Sequence, residues 1–79
     1  MTIKEAVSKR ILQLCNENNI TLNKLSTMAG ITQSTLNDVV HGKSNNPTVK
    51  TIYLVCLGLG IELKDFFDSE MFHDLIDND

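Results

Sequence analysis

Along the chain, apolar residues return every three to four positions, and the breaks between these runs fall on Asn, Gly and Pro, which predicts a series of short helices. Val7, Ile11, Leu14 and Cys15 share one face of a first helix over residues 2 to 18. Thr2 and Glu5 have the capping-box spacing, in which each side chain satisfies the other's backbone amide. Asn18 and Asn19 end that helix, and Ile20 re-enters the core. Leu25, Met28 and Ala29, then Ile31, Leu36, Val39 and Val40, form two short runs on either side of Gly30. Glycine takes positive φ there at little steric cost, and Thr21 and Thr32 precede the runs as caps for open helix amides. Helices this short do not persist alone, so the rest of the chain must pack around them.

Pro47 and Thr48 introduce a fourth helix that reaches about Leu57 and is halted by Gly58 and Gly60, with Val49, Ile52, Val55, Cys56 and Leu59 facing the core. Tyr53, Leu54 and Leu57 carry apolar character onto a second face. A fifth helix over residues 62 to 68 closes the core with Leu63, Phe66 and Phe67. Beyond Ser69, which can cap a last turn or two, Met71, Phe72, Leu75 and Ile76 recur at helical spacing among acids. The expected fold class is all-α: a compact five-helix domain over residues 1–68 with a short acidic amphipathic C-terminal extension over 69–79.

The stretch from Leu22 to His41 resembles the helix-turn-helix of the phage-repressor and Cro-like (XRE) family of bacterial regulators. Leu25, Ser26, Ala29, Gly30, Ile31, Leu36 and Val39 stand where that motif wants its apolar anchors, its small residue and its turn glycine. The small residue is usually alanine, so Ser26 needs a partner for its hydroxyl, and a backbone carbonyl one turn earlier can supply it. Many relatives pair an arginine at the position of Cys15 with an acid at the position of Val40. Both are apolar here, which predicts that the two lie close together as a packed contact.

The resemblance implies a function carried by the second helix of the motif, laid in the major groove while the preceding helix crosses the backbone. Carried over by position, Gln33, Ser34 and Asp38 face the bases, with Thr35 and Asn37 flanking. A glutamine amide matches adenine in bidentate fashion, serine accepts or donates to most bases, and Asp38 can accept from cytosine N4 while repelling phosphate. Phosphate contacts fall to Thr21, Lys24 and Thr32 and to Lys43, Ser44, Asn45 and Asn46 in the loop HGKSNNP, with Lys50 a weaker candidate. With a single cation in that loop, the expected salt slope is shallow.

Charge complicates this picture. The chain sums to −3, whereas nucleic-acid binders are usually basic. Residues 1–61 hold Lys4, Lys9, Arg10, Lys24, Lys43 and Lys50 against Glu5, Glu17 and Asp38, a balance of +3, so the deficit lies in residues 62–79, at −6. The acidic segment is therefore expected away from DNA. Its apolar residues have two destinations: back onto Tyr53, Leu54 and Leu57 of the same chain, or onto a second chain. Dimerisation through the fourth helix and the tail, with Phe72, Leu75 and Ile76 taking part, is the expectation, since relatives bind two-fold sites as dimers. A protein-interaction module, antitoxin-like or anti-repressor, using the tail on a protein partner is the alternative.

Other chemistry is thinly represented. Cys15 and Cys56 lie on apolar faces without metal or redox spacing and are expected as buried free thiols. His41 and His73 lack a second ligand at helical spacing, so no metal is expected. No paired nucleophile and base, carboxylate dyad or phosphate loop points to an enzyme, and no cofactor is implied. Charges interrupt every apolar run, so neither a membrane span nor a secretory signal is expected, and the chain reads as a cytoplasmic protein of bacterial or phage origin whose partner is double-stranded DNA.

Overall fold

The computed structural model describes residues 1–41 and 47–76, in the order α1 (Ile3–Glu17), α2 (Leu22–Ala29), α3 (Gln33–His41), α4 (Val49–Leu59), α5 (Leu63–Phe67) and a 3₁₀ turn (Glu70–Phe72). The all-α expectation is met. Each helix begins where a side chain can take up an open amide. The Thr2 amide donates to Glu5 Oε1 at 2.9 Å and the Glu5 amide to Thr2 Oγ1 at 3.2 Å, completing the capping box and holding the Glu5 carboxyl below its usual range. Thr21 accepts from the Lys24 amide at 3.0 Å, and Thr48 accepts from that of Thr51 at 3.1 Å. The ends are equally local. Asn19 takes φ 55° after α1, and the Ile20 amide reaches back to the Cys15 carbonyl at 3.0 Å.

The core is one cluster in which α1, α2, α3, α4 and α5 all take part, centred on Val7, Ile11, Leu25, Leu36, Val55 and Phe66. Cys15 and Val40 are both buried in it, and Cys56 with them. Neither cysteine is in a disulfide, and burial pushes both thiols above their ordinary pKa. Three sequence expectations about α4 and α5 need correction. Gly58 does not stop α4 but lies inside it, because the backbone of α2 passes directly over it; Gly60, at φ 72°, is the actual cap. Val49, 73% exposed, does not join the core, since it opens the first turn before α4 is covered. Leu63 and Phe67 are likewise exposed, and Phe66 alone of α5 is fully buried.

The tail also departs from expectation. After the single 3₁₀ turn capped by Ser69, His73 is extended and Asp74 takes φ 56°, so Leu75 and Ile76 do not continue a helix. Ile76 instead pairs in parallel with Thr2, its amide donating to the Met1 carbonyl at 3.1 Å. Phe72 closes an aromatic cluster with Phe66 and Phe67, centroids 6.0 and 5.0 Å away. The described tail therefore packs on α1 and α5 of its own chain, whereas the groove over Tyr53 and Leu57 is lined by α4 and the segment that follows it.

Arg10 supplies the join between α1 and α5. At 9% exposed it is nearly buried, yet among the described residues no acid pairs with it. Its Nε donates to the Phe66 carbonyl at 2.7 Å, Nη2 to the Asp65 carbonyl at 2.8 Å and Nη1 to Gln13 Oε1 at 2.6 Å. The Phe66 carbonyl has no backbone donor among the described residues and the Asp65 carbonyl also accepts the Asp68 amide at 3.3 Å, so a guanidinium fork meets both charge and geometry at the negative end of α5.

Candidate nucleic-acid interface

α2 and α3 form a helical pair whose angle is fixed at Gly30. That residue takes φ 70° and ψ 30°, and beyond it the Ile31 amide returns to the Ser26 carbonyl at 3.0 Å, closing α2. Ser26 is buried at the crossing, and its hydroxyl donates to the Asn23 carbonyl at 2.7 Å, the backbone partner one turn earlier that its polarity requires. α3 then starts on Thr32, whose Oγ1 accepts from the Thr35 amide at 3.2 Å and approaches Thr35 Oγ1 at 2.8 Å. At the other end of α3 the Ser8 hydroxyl donates to the Val40 carbonyl, so α1 satisfies an acceptor that the helix leaves open.

This framework sorts α3 into two faces. Leu36, Val39 and Val40 are buried, whereas Gln33, Ser34 and Thr35 are exposed and Asn37 and Asp38 half-buried. Gln33 and Asn37, and Ser34 and Asp38, are four residues apart and so share a stripe. His41, exposed in the last turn, continues that stripe from Asn37, and the same four-residue spacing marks it in the sequence. Thr21 and Lys24 are exposed at the start of α2, and Thr32 at the start of α3. Lys43, Ser44, Asn45 and Asn46 lie outside the described residues. Nothing in the described tail covers Gln33, Ser34 or Thr35.

The stripe is polar, carries a single acid and ends a rigid two-helix unit. Among the described residues no group of His, Cys, Asp and Glu could hold a metal ion, and no helix is long and apolar enough to cross a membrane. Residues 10–70 match the model of the Cro/C1-type HTH DNA-binding domain. The chain belongs to the Cro/C1-type helix-turn-helix family. A solved structure, that of the prophage Lp1 protein 11, is similar at 43% identity with a TM-score of 0.79, covering 87% of this chain and 91% of that one. Among curated proteins none matches. This Cro/C1-type protein is a DNA-binding transcription regulator, as the sequence resemblance implied.

Proposed function

We propose that this Cro/C1-type protein is a sequence-specific reader of double-stranded DNA that represses transcription as a dimer, by occluding a promoter in a bacterial or phage setting. The observation that carries this reading is the polar stripe of exposed Gln33 and Ser34 and half-buried Asn37 and Asp38 on a helix whose other face is buried. Gln33, Ser34 and Asp38 contact bases and Thr35 and Asn37 flank them. Thr21, Lys24, Thr32 and the loop residues Lys43, Ser44, Asn45 and Asn46 contact phosphate. Two such helices about 34 Å apart enter successive major grooves and exclude polymerase. The described tail packs on its own chain through Phe72 and Ile76, which does not favour the alternative of a partner-seeking tail.

Selection from random duplex DNA at near-physiological salt tests the reading. A two-fold site with half-sites about one helical turn apart is expected. Gln33→Ala should weaken it by about 1–3 kcal/mol and relax preference at one base position. A retained pool without a preferred sequence would sink the reading.

The dimer contact is assigned to the outer face of α4. Tyr53 is 47% and Leu57 57% exposed, and they border a groove of about 460 Å3 that continues over Ile61 and Leu63. Leu54 is half-buried and so contributes less than the sequence pattern suggests. Tyr53→Lys with Leu57→Lys should convert the dimer to monomer in light scattering while circular dichroism stays unchanged. An unaltered mass would remove this face as the contact.

A further inference from the structure

A second concavity lies on the other side of α4, among the first turns of α1 and α4 and the end of α5, and no DNA-reading residue takes part in it. Its volume is about 260 Å3, and it opens to solvent. Val7 and Ile52, both buried, form its floor; Pro47, Val49 and Phe67 wall it, and Ile3 and Lys4 complete the lining. Lys4 is the single charged residue of that lining. It is half-buried, and among the described residues its ammonium takes part in no ion pair or hydrogen bond.

We propose that this pocket binds a small amphipathic monocarboxylate, its alkyl or aryl chain on Val7 and Ile52 and its carboxylate against Lys4. Size selects the class, because the volume lies below the roughly 300–1,000 Å3 of sites for larger cofactors and drug-sized ligands. Chemistry selects the head group. Lys4 is the one charge on an otherwise apolar lining, and a carboxylate on the ligand would meet it with a charge-assisted hydrogen bond that an alcohol cannot match. Occupancy would bridge α1, α4 and α5. It would also brace Pro47, which stands immediately after the loop assigned to phosphate contact, and a ligand seated there stabilises the folded chain by mass action.

The test uses the full chain, isotope-labelled for NMR, titrated separately with sodium octanoate and with 1-octanol. Saturable shifts at Ile3, Val7 and Ile52 are expected, with octanoate bound about tenfold more tightly than octanol. In Lys4→Gln that preference should vanish while the fold, checked by the remaining amide shifts, stays intact. Three results would overturn the proposal: no saturable shift into the millimolar range, equal binding of acid and alcohol to the wild type, or shifts at these residues that follow protein concentration without ligand, which would give the pocket to a second copy. No DNA enters the experiment, so it fails independently of the reading of α3.

Discussion

Gly58→Val is expected to destabilise the fold by about 2–3 kcal/mol, although glycine inside a helix is ordinarily a weakness. A Cβ built at this position falls 3.0 Å from both Cα and N of Ala29 and 3.1 Å from the carbonyl carbon of Met28. All three are backbone atoms of α2, so no rotamer change relieves the contact. α2 must move away from α4, and it carries α3 with it. The milder Gly58→Ala isolates the effect. At an open helical position that change gains about 1 kcal/mol, and here it should lose about as much. Adding Ala29→Gly should not rescue it, because trimming a methyl leaves the contacted Cα and N in place. Urea unfolding measures all three variants, and a stabilised Gly58→Ala would show that α2 yields easily.

Arg10→Met should cost about 3 kcal/mol, a large part of the roughly 5–10 kcal/mol expected for so small a domain. Methionine keeps length and apolar contact while removing the donors, so the buried Phe66 carbonyl loses its donor and the Asp65 carbonyl keeps only the Asp68 amide. With a urea slope of about 1 kcal/mol per molar, the midpoint should fall by about 3 M. Arg10→Lys should recover about half, since an ammonium restores the charge but not the fork. A midpoint unchanged in Arg10→Met would mean that the end of α5 is satisfied without it.

What the sequence reveals is what is local. Capping by Thr2, Thr21 and Thr32 involves residues three apart, and the partner of Ser26 lies one turn away, so spacing alone exposes them. The turn at Gly30 is legible for the same reason, and with it the two faces of α3. Arg10 is not, because its carbonyl partners lie 55 and 56 residues away; by sequence it counts only as one more cation toward DNA. Gly58 and Gly60 look alike in the chain, yet one answers a neighbouring backbone and the other a left-handed φ. In the tail the helical spacing of Met71, Phe72, Leu75 and Ile76 is genuine, but the left-handed φ at Asp74 breaks it and turns Ile76 toward Thr2.

The close passage of α2 over Gly58 also bears on native-state dynamics. α2 has eight residues and cannot persist alone, and its backbone rests on α4 without an intervening side chain to absorb movement. The two helices therefore open as one cooperative unit, and amide exchange in α2 should track that of α4, close to the rate for global unfolding. The support beneath α3 is then effectively static, and under the proposed reading adaptation to different DNA sequences falls to side-chain rotamers on the polar stripe, not to motion of the helix that bears them.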